Sequence, residues 1–180
     1  MAHQLEVQIY DGIKELHGLF QCERLLLEVA AILQDIGRFI RPSSHHKHSQ
    51  YLIQNIELVG LTNSELKLIS LIARYHAGSA PSEKHTDFQK LSPKNKTIVR
   101  NLAAILRVAD ALDREHKEHV HSVMVRLEPS RVLLIPSGDH DRLLAKWAVN
   151  NKKSLIEEQF QRQLELQKNL ITEDTNLIVN

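Results

Sequence analysis

Cysteine is nearly missing from this chain of 180 residues: Cys22 stands alone, which excludes an internal disulfide and agrees with a reducing compartment. Long apolar runs are missing too, none approaching the roughly 20 residues a membrane helix needs. An excess of one charge is equally absent. Lys and Arg number 23 against 22 Asp and Glu, leaving +1, so no strong global field steers the chain to nucleic acid or membrane, although a local basic patch remains open. The opening stretch MAHQLEVQIYDG lacks the basic-then-apolar order of a signal peptide, and a cytoplasmic protein is the expectation. There is no internal repeat, no low-complexity tract, no Gly-rich phosphate loop, no nucleophile elbow and no paired-cysteine knuckle.

What is present is helical periodicity over about two thirds of the length, enough for one domain or one domain with an appendage. Leu5, Ile9, Ile13 and Leu16 predict a first helix stopped at His17-Gly18. A second is expected from Gln21 to Phe39, apolar on most of its surface, with Leu25, Leu26, Leu27, Ala30, Ala31 and Leu33 buried and Asp35 near its end. A third runs from His46 to Asn55. Thr62-Asn63-Ser64-Glu65 reads as a cap for a fourth ending at His76-Ala77-Gly78, and Ser92-Pro93 opens a long fifth with Ile98, Leu102, Ile105, Leu106 and Ala109 as its buried stripe.

After Lys117 the period changes to two. Val120 to Leu127 and Arg131 to Ile135 read as a hairpin around Glu128-Pro129-Ser130, followed by a helix from Asp141 to about Gln161, with Trp147 and Phe160 as core, and a short strand near Leu164 to Leu166. The fold class is therefore mainly α: a helical bundle over residues 1–117 and a small α+β appendage, hairpin plus helix, over 118–180, with a polar tail from Thr172.

Four polar constellations stand out. Gln34-Asp35 presents a carboxylate at a helix end, either as a metal ligand or as a hydrogen-bonder to a neighbouring helix. His45, His46 and His48 sit at a helix start, where adjacent residues point about 100 degrees apart, so all three do not bind one ion; a structural hydrogen-bonding role and contact with phosphate compete. Arg74 and His76 can reach a phosphate through charge-assisted hydrogen bonds. Arg107, Asp110, Asp113 and Arg114 share one helix end, and Asp110, inside an apolar run, needs a partner, for which Asp35 and Arg107 are candidates.

In this order the segments resemble a known family. Ile32-Leu33-Gln34-Asp35-Ile36-Gly37, His45-His46-Lys47-His48-Ser49 with Tyr51-Leu52-Ile53 and Asn55, Ala73-Arg74-Tyr75-His76, and Leu106 to Arg114 are similar to the C-terminal HD-type helical domain of the exopolyphosphatase and guanosine pentaphosphate phosphohydrolase (Ppx/GppA) family. Tyr10-Asp11, Leu16-His17-Gly18-Leu19 and Lys146-Trp147-Ala148 follow it as well. The resemblance implies an HD-like bundle, a homodimer, and a domain that binds polyphosphate or a related phosphate anion without catalysing, since the family removes terminal phosphate with actin-like N-terminal domains. By that resemblance His45, Lys47, His48, Arg74, His76, Arg107 and Arg114 are the expected anion contacts. Gln34 replaces the histidine of the HD doublet and the family's upstream histidine has no counterpart, so Asp35 and Asp110 remain as a degenerate metal pair for at most one divalent Mg or Mn ion. The rival readings are a degenerate metal-dependent phosphohydrolase and a purely structural dimer module; neither a membrane nor a specific nucleic acid is an expected partner.

Overall fold

Helix α7 (Pro93–Leu112) is the axis of the molecule in a computed structural model that describes residues 5–113, 119–138 and 142–167. Ser92 accepts the Asn95 amide at 3.3 Å and Pro93 occupies the first turn, where its missing N–H costs nothing. Val99, Leu102, Ala103, Ile105, Leu106, Val108 and Ala111 are all buried, so the helix is covered around most of its girth. Around it pack α1 (Leu5–Gly12), α3 (Gln21–Leu33) and α5 (Asn63–Tyr75); a short α2 (Lys14–His17) follows α1. The expected cap of α5 forms as a reciprocal pair: Thr62 Oγ1 accepts the Glu65 amide at 3.3 Å while Glu65 Oε2 accepts the Thr62 amide at 2.8 Å.

The remaining helices of the bundle are α4 (His45–Gln54), packed on α5, and a single turn, α6 (Thr86–Gln89), in the loop before α7. Strands β1 (Ser122–Leu127) and β2 (Arg131–Ser137) pair antiparallel as the expected hairpin, with Val125 opposite Leu134. Strand β3 (Gln163–Leu166) adds in parallel to the free edge of β2. Helices α8 (Arg142–Lys152) and α9 (Ser154–Phe160) pack on α7, and β1 packs on α1 so closely that a Cβ on Gly12 would stand 2.4 Å from Cβ of Val125. One apolar core runs through both parts: Val123, Leu134, Val149 and Ile156 belong to it with Ile9, Leu27, Ile69 and Leu102. The tail from Thr172 lies outside the described residues.

Three expectations are corrected. The helix expected from Gln21 to Phe39 stops at Leu33, because the chain turns at Asp35 and tightens into a 3₁₀ turn over Ile36–Phe39; Leu25, at 47% exposure, faces outward rather than into the core. The helix expected from Asp141 to Gln161 is two, α8 and α9, whose break lets Leu155 and Ile156 turn into the core. Trp147, expected in the core, is 54% exposed, since the inward stripe of α8 is Ala145, Ala148 and Val149.

Candidate functional site

The turn after α3 is held against α4 by one serine. Ser49 Oγ donates to the Gln34 carbonyl at 2.6 Å and accepts the Gly37 amide at 3.0 Å. Gly37 is required by closeness: a Cβ there would lie 2.2 Å from the His45 carbonyl oxygen and 2.4 Å from the Ser49 amide nitrogen. Asp35, in the bridge region at φ −101° and ψ 2°, is thereby aimed at the first residue of α4, His45, and at the residue that closes α5, His76.

These three side chains converge. His45 Nε2 and His76 Nε2 are 3.0 Å apart, and Asp35 Oδ1 lies 3.1 Å from the first and 3.8 Å from the second. Each imidazole is fixed from behind by a backbone carbonyl, His45 Nδ1 on Pro42 at 3.2 Å and His76 Nδ1 on Ala73 at 2.5 Å. Arg38 Nε donates to Asp35 Oδ1 at 2.8 Å from the exposed side. His76 is buried, and that burial holds its pKa below the ordinary value, against the opposing pull of the Ala73 carbonyl and of the Asp110 and Asp35 charges. Gln34 Oε1 next door is buried and has no hydrogen-bond partner among the described residues.

A second polar region lies between α4, α5 and the segment leading into α6. Gln50, Leu71, Arg74, Tyr75, Lys84, His85, Thr86 and Asp87 line a cavity of about 280 Å³. Arg74 donates to Gln50 Oε1 and sits over the Tyr75 ring at 5.7 Å; Gln50 Nε2 donates to Asp87 at 2.7 Å, and the Tyr75 hydroxyl meets His85 Nδ1 at 2.9 Å. Burial first, then the positive charges of Arg74 and Lys47, push His85 below its usual pKa. His46, on the α4 face between the two regions, falls to about 4 through burial and then the fields of His45, His76, Arg74 and Lys47.

The predicted residues therefore divide. His45 and His76 join Asp35; Arg74 enters the cavity, with the exposed Lys47 near enough for its charge to be felt at His85. His48, half-buried on α4, belongs to neither set. Arg107 is spent on the backbone: its guanidinium donates to the Tyr75 carbonyl at 2.9 Å and to the Gly78 carbonyl at 3.2 Å, locking the turn that ends α5. Arg114 lies outside the described residues. Asp110 is not joined to Asp35 or Arg107 by a hydrogen bond but is paired by Lys152, whose ammonium also reaches the His76 carbonyl at 3.4 Å. Lys152, at the end of α8, went unnoticed in the sequence, as did Gln50 within α4 and Lys84, His85 and Asp87, for which residence in or beside the polar loop was the only signal.

The comparisons agree with the motif order. Residues 2–174 match the family model for Ppx/GppA phosphatase, domain III. A guanosine-5'-triphosphate,3'-diphosphate pyrophosphatase of Pseudoalteromonas translucida is 31% identical over 108 residues, which is 60% of this chain and 20% of that protein. Proteins of the same description from Vibrio parahaemolyticus, 30% identical over 136 residues, and from Pseudoalteromonas atlantica, 28% identical over 95 residues, are matched over 74% and 53% of this chain. The matched region is 18 to 25% of the length of these relatives.

Proposed function

The chain belongs to the Ppx/GppA phosphatase family, as its domain III, and from that premise we propose that it holds phosphate chains, polyphosphate or a phosphate-rich nucleotide, for a phosphatase whose chemistry is carried elsewhere. The observation that carries this reading is the basic cavity between α4, α5 and the loop before α6. Arg74 and Lys84 line it, with His85 between them and Lys47 within electrostatic range. At about 280 Å³ it is near the lower bound, about 300 Å³, of small-molecule sites. Asp87, to which Gln50 donates, is the acid in the lining, and its single negative charge is outnumbered by the positive charges of Arg74 and Lys84, so the lining is net positive. Arg74 is presented as a planar fork braced by Gln50 and stacked on Tyr75, the form in which arginine takes phosphate oxygens in pairs. The related pyrophosphatases are named for a guanosine carrying phosphates at two positions, which fits the same chemistry.

A homodimeric role is the second part of the proposal, and exposed Ile32, Phe39 and Val59 supply apolar surface for it. The direct experiment is binding of long-chain polyphosphate as a function of salt, with sulfate as a small-anion control. Affinity that falls steeply with ionic strength and is weakened by R74A and K84E supports the reading. Absence of binding at low salt removes it.

A further inference from the structure

Given that the cavity binds phosphate as proposed above, we propose that His85 makes this binding proton-dependent: one proton taken up on its ring adds a third cation to the lining, and phosphate chains are held more tightly in mildly acidic than in neutral solution. Without that proton, the positive charges of Arg74 and Lys84 stand against the negative charge of Asp87. A charged His85 doubles the excess.

The ring is placed so that it can exist in both states. Tyr75 Oη meets His85 Nδ1 at 2.9 Å, and the two rings stack with centroids 5.5 Å apart. Burial, the largest influence, pushes the Tyr75 hydroxyl up to about 12, so it keeps its proton, and Arg74 hydrogen-bonds the same oxygen. The hydroxyl therefore donates to Nδ1 while the neutral ring carries its own proton on Nε2. A second proton arriving at Nδ1 turns that bond round without breaking it, since a hydroxyl oxygen also accepts. Charging His85 thus costs no hydrogen bond.

The groups facing His85 are the ones an anion would engage. Arg74 and Tyr75 come from α5, Lys47 from α4, Lys84 from its own loop and Asp87 from α6. Glu83, two positions before it, is turned to Lys96 at 2.8 Å and Arg100 at 3.8 Å on α7. Imidazole is the one side chain in this set that ordinarily changes charge between about pH 5 and pH 8; His46, also on α4, lies lower, at about 4. Burial first, then the positive charges of Arg74 and Lys47, hold His85 below its ordinary 6.5. A phosphate chain on those same cations offsets both fields and raises it again. By linkage, affinity then rises as pH falls through the range of the complexed ring and levels off below that of the free ring.

Long-chain polyphosphate, whose interior groups do not titrate in this range, tests this when titrated into the protein at fixed low salt between about pH 8 and pH 5. Binding is expected to tighten by about 10-fold, the equivalent of one pKa unit, with net proton uptake seen by calorimetry in two buffers of different ionisation enthalpy. H85Q should lose most of this pH dependence, and H48Q should keep it. Proton spectra of the unsubstituted protein give a readout that survives any folding failure of H85Q: the titration midpoint of the His85 ring moves up when polyphosphate is present. Affinity independent of pH, an unmoved His85 midpoint, or full pH dependence in folded H85Q overturns the role of His85 and leaves the cavity reading standing. Absence of binding at low salt at every pH removes both.

Discussion

The hydroxyl of Ser49 and the amide of Gly37 meet at 3.0 Å, and this contact, with the 2.6 Å bond from the same hydroxyl to the Gln34 carbonyl, sets where Asp35 points. Ser49 is fully buried, and S49A strands both backbone groups at once. The expected cost is about 1–3 kcal/mol in denaturant unfolding. G37A acts through bulk instead, driving a methyl into the His45 carbonyl and the Ser49 amide, and should cost about 1–3 kcal/mol or more. If G37A unfolds at the same denaturant concentration as the parent, the close approach of the turn to α4 is not what holds it there.

How much of this was visible beforehand depends on distance along the chain. The Thr62 and Ser92 caps, the helix of Pro93 to Leu112 and the hairpin are written in local spacing and turn residues, and they form as expected. The convergence of Asp35, His45 and His76 joins residues up to 41 positions apart, and only the packing of α3, α4 and α5 decides it. Lys152 answered the question of what satisfies Asp110, from a helix whose sequence carries no mark of that role. Trp147 misled for a related reason: aromatic character argues for burial, but the small residues Ala145 and Ala148 are what allow α8 to approach α7. Arg107 carries a charge that reads as an anion contact, yet two backbone carbonyls claim its fork.

The Asp110 and Lys152 pair makes a distinct prediction. Both groups are largely buried, with side-chain exposures of 12% and 26%, so removing the cation alone leaves a carboxylate in poor solvent. K152M should destabilise by about 2–4 kcal/mol, and the double variant D110N/K152M by clearly less, because the uncompensated charge is gone. Equal losses in the single and double variants would show that Lys152 acts through packing of its stem and not through the pair.

His17 makes the fold acid-sensitive at a point remote from both polar regions. Its Nε2 donates to the Tyr10 carbonyl at 2.9 Å and its Nδ1 accepts the Leu19 amide at 2.9 Å, so the neutral ring is the form the structure uses. Burial is the largest influence and lowers its pKa below 6.5, with the Tyr10 bond opposing. The unfolded chain therefore takes up this proton first, and the contribution to stability is intact above about pH 6.5 and is lost as pH falls below it. The unfolding midpoint of H17Q should vary less with pH over that range than that of the parent. A parallel decline in both proteins would assign the acid sensitivity to other groups.

The last prediction concerns the cations of the cavity and separates geometry from charge. Arg74 is braced by Gln50 and stacked on Tyr75, whereas Lys84 lines the same cavity with no hydrogen bond from its ammonium among the described residues. If successive phosphates are held by point-charge attraction, removing either cation should flatten the dependence of log affinity on log salt by about one unit of slope. R74K keeps the charge but not the fork, so it should retain the slope and lose affinity by about 5- to 100-fold, the range of one or two charge-assisted hydrogen bonds. K84R should bind as the parent does. The measurement is a polyphosphate titration at four or more ionic strengths for each variant; equal affinities for R74K and the parent would mean that Arg74 serves the cavity only as a charge.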